Sequence, residues 1–450
     1  MNIFNISDFG AKSNGELMTV CIQRAIDYCY LLGGGIVLVP KGDFITGEIR
    51  LRSHVHLHLE EDAHIIGSNN PQDYFGILND QLEPLGDDDK SDIRWLPPQE
   101  RTCFDHLNKC GSRWNNALIR AVDAENVEIS GDEGSYIDGC DCFDEEGEEY
   151  YRGPHAINFH RCKNIKFKNY VVKNSANWAH AFFGCDNVEM DNVTVEGGHD
   201  GVHMRSCTNV FIQKCSFFTG DDCVSGFDNV NINITECIFN TACSGMRFGG
   251  RNVLVEGCHF KGPAKYPFRG SLSQEEKRAT KGAASGHRYN MLSAFTYFSD
   301  YTREIRSTPG NILIKDCRMV NIDRFLHYNF SGNEPWQCNK PLHDITFQNI
   351  VAEGITMPLT AYGNHDMPLR LEMINVDIIF DPQKNIETCI RAYGFEKILL
   401  KNFRVKNVMG NALIKTWDEE GEILCENVIY DKEIQKLREY TKEAFVCSAI

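Results

Sequence analysis

Three short blocks recur between Gly197 and Gly250 at a spacing that few folds can use. They are Asp200-Gly-Val-His-Met, Asp222-Cys-Val-Ser and Ser244-Gly-Met-Arg-Phe, so that Asp200, Asp222 and Ser244 are evenly spaced along the chain. Each block precedes an Asn and an apolar run, at Asn209-Val210, Asn229-Val230 and Asn252-Val253, and the same pair occurs at Asn164-Ile165, Asn187-Val188 and Asn311-Ile312. A period of about 20–23 residues built from short alternating strands marks a solenoid. No segment between Ala156 and Cys258 keeps helical periodicity over the ~10–12 residues a helix needs. The Leu and Asn ladder of a leucine-rich repeat is missing, so the pattern predicts a parallel β-helix with one coil per repeat.

That register carries chemistry. Neighbouring strands lie about 4.7–4.9 Å apart, so residues one period apart become lateral neighbours. Trp178, Asp200, Asp222 and Ser244 are expected in one row, with Asp221 beside it. Side chains alternate along a strand, which sends Val202, Val224 and Met246 inward and His203, Ser225 and Arg247 outward. His180 falls on the inward phase. A row of carboxylates flanked by Trp, His and Arg on a sheet face is a candidate site. Asp-Gly and Gly-Asp-Asp are also ordinary turn formers, and only the repeated register favours the functional reading.

At 450 residues the length alone suggests two or three domains, but a solenoid escapes that rule and one β-helix domain is expected over 1–450. Residues 1–70 read as an N-terminal cap, with Met18, Ile22, Ala25, Ile26 and Cys29 at helical spacing and Gly33-Gly34-Gly35 stopping the helix. Strands are expected at Ile36–Val39 and Val55–Leu59, the latter exposing His56 and His58. Coils are expected over 116–428, with irregular insertions at 71–115 (including Asp87-Asp88-Asp89) and 261–310. Ile434, Leu437 and Tyr440 predict a capping helix over 431–450, since exposed coil ends are adhesive sheet edges.

The net charge of −17 argues against nucleic acid or an anionic membrane as partner. Local charge differs: residues 261–288 carry seven Lys or Arg against Glu275 and Glu276, a balance of +5. An acidic loop, Asp141–Glu149, leads into Arg152-Gly153-Pro154-His155. Both loops read as solvated, or as groove walls, because long loops of a solenoid gather on one side. The first residues lack a basic stretch and an apolar core, so no signal peptide is expected, and no apolar run reaches the ~20 residues of a membrane span. Nineteen cysteines include coil-equivalent Cys162, Cys185 and Cys207, then Cys215, Cys237, Cys258 and Cys317, which read as a buried thiol stack. Without a Cys-x-x-Cys pair no metal or other cofactor is expected, and a reduced, cytoplasmic setting is.

FNISDFGAK, GGGIVLVPKGDFITGEIRLRSHVHLHLEEDAHIIGS, IDGCDCF, KNSANWAHAF, GGHDGVHM and TGDDCVSG together resemble glycoside hydrolase family 28, the polygalacturonase-like enzymes, over roughly residues 3–320. The resemblance implies a right-handed parallel β-helix and metal-free hydrolysis of a glycosidic bond with inversion. It implies that Asp221 is the general acid and that Asp200 and Asp222 hold and deprotonate the attacking water. Two-carboxylate chemistry needs one protonated and one ionised group, and crowded carboxylates separate their affinities for protons. Two motifs depart from the family. Its Gly-His-Gly reads Cys243-Ser244-Gly245 here, and its Arg-x-Lys pair is absent from Met291–Tyr297. Arg247 and Arg288 are candidates for anchoring a substrate carboxylate, and Trp178, His203, Ser244 and Tyr297 for other sugar contacts; His155 and His287 are weaker candidates. The expected activity is therefore an inverting, exo-acting hydrolase of a pectin-like or related oligosaccharide. The alternatives are a Ca²⁺-dependent polysaccharide lyase and a non-catalytic glycan-binding β-helix; oligomeric state is not legible.

Overall fold

The computed structural model describes residues 2–74, 116–279, 287–299, 305–332, 334, 336–431 and 433–441. The acidic run at 87–89 and most of the predicted insertion 71–115 lie outside them, as do 442–450. The described chain is almost entirely parallel β-structure and divides into two compact units: residues 1–221 with 266–288, and residues 222–265 with 289–450.

In the first unit the coils follow helix Thr19–Leu31, whose buried stripe is Ile22, Ala25, Ile26 and Cys29. Strands Gly35–Val39 and Val55–Leu59 alternate strictly between buried and half-buried positions, as successive side chains on a strand do. His56 and His58 occupy the outer phase, where both hydrogen-bond Ser130 Oγ (2.7 and 2.8 Å). Three parallel ladders run through the unit, and the one bearing the candidate site passes through Ala117–Val122, His155–His160, His180–Phe183 and Val202–Arg205. Asn158 pairs with Ala181, and Ala181 with His203, so successive coils keep the period expected from the sequence.

Corners are set by asparagine. Asn164, Asn187 and Asn209 all have φ between 55° and 58°, the left-handed region that Asn enters at least cost. Their amides bond from coil to coil, Asn187 Nδ2 donating to Asn164 Oδ1 at 2.8 Å. The second unit repeats the device through Asn252 Nδ2 to Asn231 Oδ1 (3.0 Å) and Asn311 Nδ2 to Asn252 Oδ1 (2.9 Å). The corner residue there is Asn231, not the expected Asn229. The register shifts between Gly226 and Asn229, so Ile232 rather than Val230 aligns with Val253. The stacked cysteines Cys162, Cys185, Cys207, Cys215, Cys237, Cys258 and Cys317 are buried free thiols.

Two expectations need correction. Lys436–Tyr440 is a strand paired in parallel with Ala412–Thr416, not part of a helix over 431–450. Pairing satisfies the open edge, and Arg438 adds donors to the carbonyls of Asp418, Glu420 and Gly421. The insertion 261–310 is also shorter than expected, because Met291–Tyr297 is a coil strand paired with Ser244–Phe248 on one side and Ile322–His327 on the other. No helix among the described residues is long and apolar enough to cross a membrane.

Candidate active site

The first unit places three of the expected residues in one packed group. Trp178 and His203 stack at 3.7 Å between centroids and 3° between planes. His203 Nδ1 meets Asp200 Oδ2 at 3.2 Å, and Arg205 Nε donates to His203 Nε2 at 2.9 Å. Arg205 also lies 5.4 Å above the Trp178 ring. Trp178, Asp200 and His203 are each buried, so Trp178 presents one ring face to His203 rather than an open platform to a sugar. Tyr170 Oη and Gly201 O hold His180 in the interior, as its phase requires, and burial lowers its pKa to about 4.

Asp221 is more open. Its side chain is 15% exposed, and Oδ2 lies 3.5 Å from Arg152 Nη2, whose own side chain is 7% exposed. Arg152 also meets Glu149 at 3.0 Å and donates to Asn177 Oδ1 at 3.2 Å. Asn177 in turn donates to Glu148 Oε2 at 3.2 Å. Burial raises the Glu148 pKa to about 8 against the pull of Arg152. The loop that brings in Arg152 is not simply solvated. Arg269 bonds Asp141 and Arg278 bonds Glu145, so the basic segment and the acidic loop neutralise each other. Arg269 and Lys277 are buried, and Lys277 Nζ sits 4.1 Å over the Tyr151 ring. Sequence reasoning misses this because the partners lie far apart along the chain. The opposite charges of the two loops are the only signal.

Three other candidates in this unit make contacts of their own. Arg288 stacks on Phe268 at 4.2 Å, and His287 bonds Glu276 at 2.9 Å. His155 is buried and packs 5.1 Å from Trp178.

In the second unit Asp222 is 1% exposed and accepts the Ser244 N–H at 3.0 Å. Arg247 Nη1 approaches Asp222 Oδ2 at 3.8 Å. Its guanidinium is held 4.4 Å from Phe298 and 5.2 Å from Trp336, an aromatic clamp that leaves the side chain 27% exposed. Ser244 Oγ bonds Thr296 Oγ1 at 3.0 Å, so its hydroxyl is engaged within the sheet.

Tyr297 is not a sugar contact. It pairs with Phe248, is fully buried, and donates its hydroxyl to Lys340 O. Thr296, the lateral neighbour of Arg247, takes the outward phase instead. Sequence reading also passes over His327, which exchanges hydrogen bonds with Arg324 (2.9 Å) and Glu334 (3.1 Å). Burial would raise the Glu334 pKa, but bonding from His327 and Asn329 and the field of Arg247 hold it below the usual range.

Residues 99–250 match the family Glycosyl hydrolases family 28. A probable polygalacturonase of Vitis vinifera is 28% identical over 245 residues, 51% of this chain and 45% of the relative. An exo-poly-alpha-D-galacturonosidase of Dickeya chrysanthemi is 26% identical over 254 residues, 50% of this chain and 41% of the relative. A plasmin and fibronectin-binding protein A of Streptococcus pneumoniae is 27% identical over 375 residues, 78% of this chain and 45% of the relative. The chain therefore spans less than half the length of these curated relatives. Among solved structures, a hyperthermoactive exopolygalacturonase of Thermotoga maritima superposes with a TM-score of 0.62 at 18% identity, covering 96% of this chain and 92% of that one. The fold is the right-handed parallel β-helix, and over residues 99–250 the chain is similar to glycoside hydrolase family 28.

Proposed function

We propose that this chain is an inverting glycoside hydrolase that trims a pectin-like oligosaccharide from one end. The observation that carries the reading is the presence of Asp200, Asp221 and Asp222 inside the family-matched stretch 99–250. In this mechanism Asp221 protonates the leaving glycosidic oxygen while Asp200 and Asp222 orient a water and take its proton. The carboxylates are arranged differently. Asp200 and Asp222 are buried and held by His203 and by the Ser244 amide, which fixes their carboxylates in place. Asp221 is the more exposed member, beside Arg152.

The exo reading rests on the loops that rise in the first unit. Segment 266–288 is tied to loop 141–149 by Arg269 and Arg278, making a wall of paired charge rather than two free arms. A named exo-acting relative supports it. A second reading, a non-catalytic binding protein, draws on Ser244 in the family's histidine position and on the pneumococcal relative.

A reducing-sugar assay separates the two readings. Oligogalacturonides are to be paired with neutral rhamnosides, galactosides and xylosides, with Asp221→Asn as control. Release of monomer that the variant abolishes supports hydrolysis. Binding that is untouched by Asp221→Asn, with no release from any substrate, supports the second reading. A rapid fall in polymer viscosity would overturn the exo assignment.

A further inference from the structure

Asp228 is a carboxylate that the proposed reaction does not use. It is buried, with its side chain 2% exposed, and it stands at φ 57° where the ladder of the second unit shifts register. A carboxylate withdrawn from water is costly unless donors surround it. Oδ1 accepts the Arg306 N–H at 3.0 Å, the Ser307 N–H at 3.2 Å and the Ser307 hydroxyl at 3.3 Å, and Oδ2 accepts Arg306 Nε at 2.9 Å. The Arg306 side chain is 67% exposed, so water screens its ion pair and leaves it weak. The two backbone N–H bonds therefore carry the attachment, which latches segment 305–307 to the coil.

The latch reaches the site through packing. Ile305 is buried in a cluster with Phe227 and Phe298, and Trp336 packs on the same cluster. Ile305 O accepts Lys340 Nζ at 2.9 Å, while the Lys340 N–H donates to Ser299 Oγ at 3.4 Å. The Ser299 N–H donates to Trp336 O at 2.8 Å, and the Phe298 N–H to Phe248 O at 3.2 Å. Phe298 and Trp336 are thus tied to the latched segment and to each other. They are also the rings that hold the Arg247 guanidinium, at 4.4 and 5.2 Å. A guanidinium stacked on aromatic rings keeps its direction only while the rings keep theirs. In that direction Arg247 Nη1 approaches Asp222 Oδ2 at 3.8 Å.

We propose that Asp228 is a positioning residue: by latching segment 305–307 it fixes Phe298 and Trp336, and through these rings it aims Arg247 beside Asp222. The reaction it serves rests on the hydrolase reading above. The latch itself does not.

A double-mutant cycle tests the proposal in the full chain, with whichever member of the oligosaccharide panel the wild type cleaves. Asp228→Ala should lower kcat/KM by up to about 10²-fold, the usual cost of moving a reacting group by about 1 Å. In an Arg247→Gln background the same substitution should cost less than about twofold, because the group it positions is gone. Asp228→Asn keeps Oδ1 for both backbone N–H groups and should recover most of the loss. If Asp228→Ala does not fold, Lys340→Met frees Ile305 O from the other side and should show the same loss and the same dependence on Arg247. Tryptophan emission gives a reading that needs no substrate: Asp228→Ala should shift it to longer wavelength, and the shift should be missing in a Trp336→Phe background. Equal losses with and without Arg247, a loss that Asp228→Asn shares in full, or unshifted emission overturns the proposal. No release by the wild type from any panel member, with the emission shift intact, removes the hydrolase reading and keeps the latch.

Discussion

The two units use charge differently. In the first, Arg152 meets Glu149 and Asp221, Arg269 meets Asp141, Arg278 meets Glu145, and Asp200 meets His203. In the second, Arg247 meets Asp222 at 3.8 Å while Arg324 and Arg391 have no carboxylate partner among the described residues. The second unit has ion pairs too, such as Arg306 with Asp228 at 2.9 Å, so the difference lies in the row beyond Arg247. Completed pairs hold side chains in place.

The largest effect that can break this comparison is expected at Asp221. Asp221→Ala should lower kcat by at least about 10³-fold, since loss of a general acid usually costs 10²–10⁴. A loss below tenfold in steady-state assays would remove the assigned role.

Next is the pH response of the first unit. The folded chain keeps the Glu148 carboxyl protonated up to about 8, against a usual 4.5. The folded state therefore holds a proton across that range that the unfolded chain releases. Stability is full below the lower value and falls as pH rises through the upper one. Thermal melts should lose several degrees between pH 5 and 8.5, and Glu148→Gln should flatten the curve. An unchanged slope in the variant would show that Glu148 is not the group responsible.

His180 acts at the other end, with a smaller expected effect. Its pKa is held near about 4 by burial, against a usual 6.5. The unfolded chain binds this proton first as pH falls, so stability is present above the usual value and is lost as pH drops through the folded one. Melts from pH 7 to 4 should fall, and a neutral replacement such as His180→Gln should reduce that slope whatever its own cost at neutral pH.

The smallest effect sharpens the correction at Tyr297. Tyr297→Phe should cost about 1 kcal/mol of stability by deleting one buried hydrogen bond, and leave KM unchanged. A raised KM with unaltered stability would return Tyr297 to the substrate.

Much of this is legible in sequence where the coils are uniform. Asp200, Asp222 and Ser244 are evenly spaced, and the observed register keeps the same step from Ala181 to His203 and from Ser225 to Arg247. Beyond Arg247 the row continues through Thr296, His327, Thr360, Arg391 and Lys415, at intervals that are longer and unequal. Loops of differing length hide lateral neighbours, so Arg324 and Arg391 give no signal in the sequence. Tyr297 misleads for a related reason: Thr296 and Tyr297 are adjacent, and a shift of one position decides which face of a strand a side chain takes. In the tail, Ile434, Leu437 and Tyr440 suit helical spacing, yet the open edge of Ala412–Thr416 takes the segment as a strand.

The most direct test of the central claim is the anomeric form of the first product. Proton NMR should follow the full chain acting on an oligogalacturonide, with Asp221→Asn alongside. The account predicts a monosaccharide that first appears with the anomeric configuration opposite to that of the cleaved bond, and no product from the variant. A first product that retains the configuration, or equal release by Asp221→Asn, would contradict it.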